Sequence, residues 1–343
     1  MIPAIENLPR IRLGFYPTPL SEARHLSAVL GGPRILIKRE DLSGLALGGN
    51  KCRCFEFILA EDKKQGADAV ISTASSQSNW CLQLAAAGRK LGMKVSFVLR
   101  KGVHISTQGN LLLHNILDSD VEILDVPDIG GEAPEATEAT VSAKMDMVAD
   151  DLRARGYKPF IVRSSLPDIS TILASVGWVN AADELINQLK DQNMDAQYMI
   201  VASSSGMTQA GLVSGSKYLG ANYTIIGISV SLDTDAAVAE VIGKVDAVSD
   251  FLGLGIKVMP DEVEINDSYI GESYGMPTKE CIEAIRLVAQ TEGIFLDPVY
   301  TGRAMAGLID LIKKKRFKPT DTVIFIHTGG IPALFAYNIE IAR

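Results

Sequence analysis

The stretch Leu47-Gly48-Gly49-Asn50-Lys51-Cys52-Arg53 marks a junction between a strand, a loop and a helix. The preceding run Arg34-Ile35-Leu36-Ile37-Lys38 is typical of a strand, and a helical pattern follows over residues 52–64. The first N–H groups of a helix are unpaired and its dipole is positive there, so an ammonium group at Lys51 is electrostatically disfavoured. A lysine that must be neutral to attack a carbonyl group suits this position. Taken alone, Gly-Gly-Asn-Lys is more often a surface lysine that opens a helix.

The composition is that of an ordinary soluble globular chain. Its 343 residues are 47% hydrophobic and 22% charged, which is enough for two domains. The net charge of -8 argues against nucleic acid as a partner. No apolar run approaches the roughly 18 residues that span a membrane, and the N-terminal residues lack the order of a signal peptide. We therefore expect no membrane contact and a cytoplasmic location.

The four cysteines are predicted to be reduced and packed as small hydrophobic residues. Cys52 and Cys54 are two positions apart, which fits neither a redox motif nor a zinc pair with histidine partners. The four histidines are scattered along the sequence, so no metal site is predicted.

Strand and helix patterns alternate from Lys51 to the end of the chain, which predicts an α/β protein with parallel sheet. Residues 20–30 are predicted to form the first helix. Four strand-to-helix loops are small and polar: residues 48–51, 75–79, 203–208 and 328–330. Ligands of open α/β sheets bind beyond the carboxyl ends of strands, so four such loops indicate one shared site.

The loop Ser203-Ser204-Ser205-Gly206-Met207-Thr208 is a candidate anion site. Its backbone N–H groups open a helix, and the hydroxyl groups of Ser205 and Thr208 could add donors. The loop matches neither the P-loop of nucleoside triphosphate enzymes nor the dinucleotide-binding motif. A monophosphate on a small cofactor fits best, and the alternative is a helix cap with an incidental run of serines.

Three further motifs could carry chemistry. Ser76-Gln77-Ser78-Asn79 caps a helix, and the same N–H groups could hold a substrate carboxylate with Ser78 near the reacting carbon. No histidine lies nearby in the sequence to activate Ser78, so a hydrolase triad has little support. In Asp297-Pro298-Val299-Tyr300-Thr301-Gly302, Tyr300 is either a core aromatic or an acid/base group. His327-Thr328-Gly329-Gly330 leaves room for a flat ring to approach the backbone.

These motifs, taken together and in order, resemble the tryptophan-synthase-β-like group (fold type II) of pyridoxal-phosphate enzymes. Within that group they resemble the branch of 1-aminocyclopropane-1-carboxylate deaminase and D-cysteine desulfhydrase. The matching stretches span almost the full length: Pro17-Thr18-Pro19-Leu20, Lys38-Arg39-Glu40-Asp41, Gly48-Gly49-Asn50-Lys51, Gln77-Ser78-Asn79, Asp297 to Gly302, and His327-Thr328-Gly329-Gly330 with Pro332-Ala333-Leu334-Phe335.

The resemblance implies roles for particular residues. Lys51 would form the Schiff base with pyridoxal 5'-phosphate, and Asn79 would hydrogen-bond the ring oxygen of the cofactor. The phosphate would be held by Ser205, Gly206, Met207 and Thr208, and the pyridine ring would be contacted by Thr301 and Thr328. The catalytic side chains would be Lys51, Ser78 and Tyr300, and the substrate would contact Ser78, Asn79, Trp80 and Tyr300.

The resemblance also implies the architecture. Two open, mostly parallel sheets flanked by helices are expected, with a smaller domain inserted in a larger one. Residues 1–51 and 159–343 would form the larger, cofactor-binding domain, and residues 52–158 would form the smaller one. The active site would lie in the cleft between them, and the protein would be a homodimer.

The implied reaction is a β-elimination on a small amino acid, first of all D-cysteine, to give pyruvate, sulfide and ammonia. Lys51 would take the α-proton. The alternatives are 1-aminocyclopropane-1-carboxylate deamination, cysteate desulfonation, racemisation, or a non-enzymatic storage or sensor role for the cofactor. Thr301 and Thr328 stand where the deaminase branch has an acidic residue and a leucine, which favours sulfide elimination over ring opening.

Three places depart from the pattern of the branch. Trp80 follows Asn79 where a smaller or polar residue is usual, so it could reshape the pocket. Ser164-Ser165-Leu166-Pro167-Asp168 replaces a glycine-rich stretch. Ser204 and Met207 stand where the phosphate loop usually has glycine, which leaves fewer positions for a positive φ.

Overall fold

The computed structural model describes residues 2–128, 135–163 and 168–342. Its strands are β1 (Leu20–Glu22), β2 (Arg34–Arg39), β3 (Ala69–Ser72), β4 (Lys94–Lys101), β5 (Asp120–Pro127), β6 (Pro159–Val162), β7 (Tyr198–Ser203), β8 (Thr224–Ser229), β9 (Glu264–Asn266) and β10 (Thr322–His327). Its helices are α1 (Pro3–Glu6), α2 (Arg24–Leu30), α3 (Lys51–Lys64), α4 (Asn79–Lys90), α5 (Gly109–Ile116), α6 (Glu135–Ala154), α7 (Ile169–Asp191), α8 (Met207–Tyr218), α9 (Thr234–Leu252), α10 (Lys279–Glu292), α11 (Thr301–Lys313), α12 (Ala333–Ala336) and α13 (Asn338–Ala342).

The strands form two sheets, as the sequence predicts. One has six strands in the order β1-β2-β10-β7-β8-β9, and the other has four strands in the order β5-β4-β3-β6. All neighbouring strands are parallel except β1 and β2. Parallel strands are connected by helices that cover both faces, which explains why β3 and β10 are buried along their whole length. The prediction of an α/β fold with two mostly parallel sheets is therefore confirmed.

The four-stranded sheet is inserted in the chain between β2 and β7 of the six-stranded sheet. Its last strand, β6, pairs with β3 over residues 159–162. The division between residues 158 and 159 therefore does not coincide with the division between the sheets, because β6 belongs to the smaller one. The sequence pattern of a strand does not show which sheet the strand joins, because tertiary contacts decide which strands pair.

The two sheets share one hydrophobic core. Its largest cluster contains Leu36 and Ile324 from the six-stranded sheet together with Val70 and Val95 from the four-stranded sheet. Helix α3 contributes Phe55 and other residues to this cluster, so the helix that Lys51 opens is packed between the sheets. This packing places the start of α3 at a fixed position between the two halves of the molecule.

Some predicted elements differ from the structure. Residues 20–30 are not one helix, because β1 pairs antiparallel with β2 (Leu20 opposite Lys38) before α2 begins. Helix α9 and strand β9 were not predicted at all. The sequence also predicts a surface loop over residues 127–136, and this loop and the departure at 164–168 fall partly outside the described residues.

All four cysteines are buried and free, as predicted. In the described part of the chain, no helix is long and apolar enough to cross a membrane.

Candidate active site

A cavity of about 520 Å³ lies where the four polar loops meet. This volume is in the range of small-molecule sites. Each predicted loop contributes to its wall, as do Arg100, Tyr274 and Tyr300 from elsewhere in the chain. The shared site that the four loops predict is therefore present in the fold.

Lys51 lines this cavity and is the first residue of α3. Burial lowers the pKa of its ammonium group. Its Nζ lies 5.9 Å from the centre of the Trp80 ring. Because a buried ammonium loses hydration, a larger fraction of Lys51 is neutral at a given pH than for an exposed lysine.

The loop before Lys51 is held by contacts to neighbouring elements. The Asn50 N–H donates to the main-chain oxygen of Thr328 at 3.0 Å, and Gln83 of α4 donates to the main-chain oxygen of Gly48 at 2.6 Å. Gly49 and Gly329 approach so closely that a Cβ on Gly329 would lie 2.6 Å from the Gly49 Cα. Glycine is required at this contact, and it ties the Lys51 loop to the loop after β10.

The loop of residues 203–208 lines the same cavity as Lys51. Its one positive φ, 74°, is at Gly206, so Ser204 and Met207 need no unusual backbone conformation. The first N–H groups of α8 point out of the helix end without intrahelical partners. The buried hydroxyl of Ser203 lines the cavity and has no hydrogen-bond partner among the described residues. These donors form a site suited to an anion.

The loop connects directly to the residue before Lys51. Asn50 Nδ2 donates to Thr208 Oγ1 at 3.1 Å, and Ser204 Oγ lies 3.0 Å from Ser231 Oγ. An anion in this loop is therefore held at a fixed distance from the start of α3. The carboxylate of Glu240 also lines the cavity, but it is paired with Lys244.

The start of α4 forms the wall contributed by the smaller sheet. Ser78 caps the helix by accepting a hydrogen bond from the Cys81 N–H at 3.2 Å, and it also lines the cavity. Trp80 is buried, and its Nε1 donates to Ser72 Oγ at 3.0 Å. The Trp80 ring therefore has a fixed orientation in the wall, and the cavity remains open beside it.

Tyr300 lines the cavity and is hydrogen-bonded to Tyr274, a residue that the sequence analysis missed. Burial raises the pKa of both phenols. Tyr274 lies in a glycine-containing loop between β9 and α10, and no strand or helix pattern next to it indicated a site. Thr73 and Arg100 were also missed. Thr73 Oγ1 is buried without a hydrogen-bond partner among the described residues.

Thr328 and Thr301 differ in their positions. Thr328 lines the cavity. Thr301 does not: it is fully buried as the first residue of α11, and its hydroxyl donates to Asp297 Oδ1 at 2.7 Å. All other residues that the resemblance implicates line the cavity: Lys51, Ser78, Asn79, Trp80, Ser205, Gly206, Met207, Thr208 and Tyr300.

The fold and the cavity together define a class of α/β enzyme in which a lysine faces an anion-binding loop. The chain belongs to the family described as "Pyridoxal-phosphate dependent enzyme", which it matches over residues 11–329. It is 37% identical over 343 residues to the D-cysteine desulfhydrase of Klebsiella pneumoniae subsp. pneumoniae, with 98% of this chain and 99% of that protein covered.

Two further relatives agree with this membership. The D-cysteine desulfhydrase of Salmonella typhi is 35% identical over 342 residues, covering 97% of this chain and 98% of that protein. The crystal structure of an ACC deaminase homologue superposes with a TM-score of 0.86 at 30% identity, covering 99% of this chain and 98% of that chain. The resemblance to this branch of fold type II enzymes is confirmed, and pyridoxal phosphate is the cofactor.

The residues of the cavity fit this cofactor. The unpartnered Ser203 hydroxyl and the N–H groups opening α8 suit its phosphate, and Lys51 suits its aldehyde. Gly330 has a φ of 93°, and a Cβ there would lie 2.7 Å from Asn79 Nδ2, so a larger residue would fill the space beside Asn79.

Proposed function

We propose that this enzyme catalyses β-elimination on a small amino acid, with D-cysteine as the substrate. D-cysteine and one water give pyruvate, hydrogen sulfide and ammonia. The observation that carries the proposal is the meeting of Lys51, the anion-binding loop and the Tyr274–Tyr300 pair in one cavity. Two relatives of nearly the same length, named D-cysteine desulfhydrase, support the choice of substrate.

Lys51 is the residue for the first proton transfer. The bound cofactor supplies an electron sink that stabilises negative charge on the α-carbon of the substrate. The depressed pKa of the Lys51 ammonium favours its neutral form, which can accept the α-proton. The position of Lys51 at the start of α3, packed in the shared core, keeps its amine in the cavity.

Tyr300 is suited to the second proton transfer, from the phenol to the leaving sulfur. The pKa of Tyr300 is raised by burial, so its phenol is protonated at neutral pH. Tyr274 holds the Tyr300 hydroxyl through the hydrogen bond between them. Ser78 and the free N–H groups at the start of α4 are placed to bind the substrate carboxylate.

The proposal also covers assignments that rest on the family resemblance. The larger domain holds the cofactor, and the smaller domain contributes Ser78, Asn79 and Trp80 to the substrate side. The enzyme is a homodimer in the cytoplasm. Light scattering on the purified holoenzyme, which gives the mass directly, tests the dimer.

The test is a panel of D- and L-amino acids with β leaving groups, assayed for pyruvate and, for cysteine, sulfide. We expect turnover of D-cysteine to exceed that of L-cysteine. 1-Aminocyclopropane-1-carboxylate, assayed for 2-oxobutanoate, tests the activity named for the homologue of the crystal structure. Ring opening as fast as sulfide release would contradict the proposal, and so would a holoenzyme that releases no pyruvate from any substrate of the panel.

A further inference from the structure

Asn110, the second residue of α5, is fully buried and contacts the cavity wall from behind. Its Nδ2 donates to the main-chain oxygen of Gln77 at 2.7 Å and to Asn79 Oδ1 at 2.9 Å. A main-chain oxygen can only accept hydrogen bonds, so the Asn110 amide must present its NH₂ group on this side. The atom of Asn79 that meets the same NH₂ group must then be its oxygen.

Gln77 extends this hydrogen-bond network and is also bonded to main-chain groups. Gln77 Oε1 accepts from the Asn110 N–H at 2.9 Å, and Gln77 Nε2 donates to the main-chain oxygen of Gln108 at 3.2 Å. A main-chain N–H is only a donor and a main-chain oxygen only an acceptor, so neither amide can turn over without losing bonds. The orientation of Asn79 therefore follows from the fold.

The opposite end of the Asn79 amide, Nδ2, points away from Asn110. A Cβ built on Gly330 would lie 2.7 Å from this nitrogen, so Nδ2 faces the loop after β10. Asn79 lines the cavity, and its Nδ2 donates to no residue that the structure describes. One oriented N–H donor is thus left for a ligand.

We infer that Asn110 is a positioning residue, which holds the Asn79 amide so that its N–H, and not its oxygen, meets the ring oxygen of the cofactor. This inference rests on the proposed function and on the contact between Asn79 and the ring oxygen that the family resemblance implies. An N–H donor stabilises the deprotonated form of that ring oxygen and lowers the pKa of the bound cofactor. A reversed amide would place its oxygen against the ring oxygen and raise that pKa.

The test follows the absorbance of the bound cofactor against pH, without substrate. The variants are Asn110→Leu, Asn79→Ala and the double variant, with Asn115→Leu as the matched control because Asn115 is exposed on the same helix. We expect Asn110→Leu to move the titration midpoint upward by about one pH unit. Asn79→Ala should shift the midpoint by the same amount, and the double variant should shift it no further. Asn115→Leu should leave the midpoint unchanged.

Asn110→Asp guards against a misfolded leucine variant, because it keeps the shape of the side chain and replaces NH₂ by oxygen. It should shift the midpoint in the same direction. A wild-type midpoint in both Asn110 variants, with a shifted one in Asn79→Ala, would overturn the inference and leave the proposed function intact. A wild-type midpoint in Asn79→Ala would show that Asn79 does not contact the ring oxygen, and it would also overturn the inference. Additive shifts in the double variant would show that Asn110 acts independently of Asn79 and would also overturn the inference.

Discussion

The hydroxyl groups of Tyr274 and Tyr300 are hydrogen-bonded to each other in the wall of the cavity. Tyr300 immediately precedes α11, whereas Tyr274 lies in the loop before α10, and their ring centres are 6.2 Å apart. Burial is the largest cause of the raised pKa of both phenols, and the contact between them raises the pKa of Tyr274 further but lowers that of Tyr300. The pair therefore offers protonated phenols at neutral pH.

Replacing Tyr300 with phenylalanine should lower kcat by about 10²- to 10⁴-fold, the usual effect of losing a positioned acid/base group. Tyr274→Phe should have a smaller effect, because Tyr300 keeps its own proton. Steady-state pyruvate release measures both. Tyr269→Phe is the matched control, since its hydroxyl bonds to Asp310 outside this cavity. Unchanged rates in Tyr300→Phe would return Tyr300 to a purely structural role.

Lys51→Ala should abolish turnover and change the visible absorbance of the bound cofactor, because we propose that the lost amine is the one that binds the cofactor aldehyde. The anion-binding loop is intact in this variant, so some cofactor should still be retained after gel filtration. Lys64→Ala is the control, because Lys64 is an exposed lysine at the other end of the same helix. Normal turnover with an unchanged spectrum in Lys51→Ala would rule out the assignment.

Ser78→Ala should lower turnover while the cofactor spectrum is kept, because we propose that Ser78 binds the substrate and not the cofactor. The substitution also removes a helix cap, which costs about 1 kcal/mol of stability. Thr278→Ala separates the two effects, since Thr278 caps α10 through the Cys281 N–H at 3.1 Å but does not line this cavity. The temperature of thermal unfolding should fall in both variants, whereas turnover should fall only in Ser78→Ala. Equal turnover in the two would leave Ser78 as a cap alone.

Thr301→Glu should destabilise the protein by about 3 kcal/mol or more, because it buries a second carboxylate beside Asp297. The Asp297 carboxylate already accepts hydrogen bonds from the N–H groups of Val299, Tyr300 and Thr301 and from the Thr301 hydroxyl. Thr301→Ser keeps the hydroxyl and should be close to wild type. Denaturant unfolding measures both, and a stable Thr301→Glu variant with the wild-type midpoint would show that the site accepts the charge.

Asp62 should make the protein less stable as the pH rises. Burial, followed by the nearby charges of Glu61 and Asp168, raises the pKa of Asp62 from 3.8 to about 8. Between these two values the unfolded chain has lost the proton that the folded protein retains, so the free energy of unfolding falls with increasing pH and levels off above about 8. As far as Asp62 is concerned, the protein is most stable below pH 3.8, the pKa of this carboxyl group in the unfolded chain.

Asp62→Asn should remove this dependence. We expect it to raise the free energy of unfolding by roughly 2 kcal/mol at pH 8 and by much less at pH 5, because the amide carries no ionisation penalty. Denaturant unfolding at the two pH values gives the comparison, and Asp146→Asn, at an exposed position of α6, is the control. An equal change at both pH values would mean that Asp62 is ionised in the folded protein.

Much of the site could be predicted because its motifs are local. A strand that runs into a glycine loop and a helix is a short-range pattern, and it correctly placed Lys51 at the start of α3. The loop of residues 203–208 was recognised in the same way. In a parallel sheet the carboxyl ends of the strands lie at one edge, so the loops after β2, β7 and β10 had to be close in space. The loop after β3 belongs to the other sheet, and only the packing of the two sheets brings it to the same cavity.

Other features depend on how distant segments pack. Tyr274 is hydrogen-bonded to Tyr300, and Asn110 is hydrogen-bonded to Asn79. No sequence pattern links the segments that carry these residues. Thr301 follows a cavity residue directly, yet the turn into α11 directs its hydroxyl to Asp297 instead of the cavity.

The sequence by itself determined the α/β class, the order of most elements and the place of Lys51 at the start of a helix, since these follow from local periodicity and turn chemistry. Only the tertiary structure decided that β6 belongs to the smaller sheet, that residues 20–22 form a strand, and which way the Asn79 amide points. Strand partners and amide orientations are selected by hydrogen-bonding groups that come together only when the chain has folded.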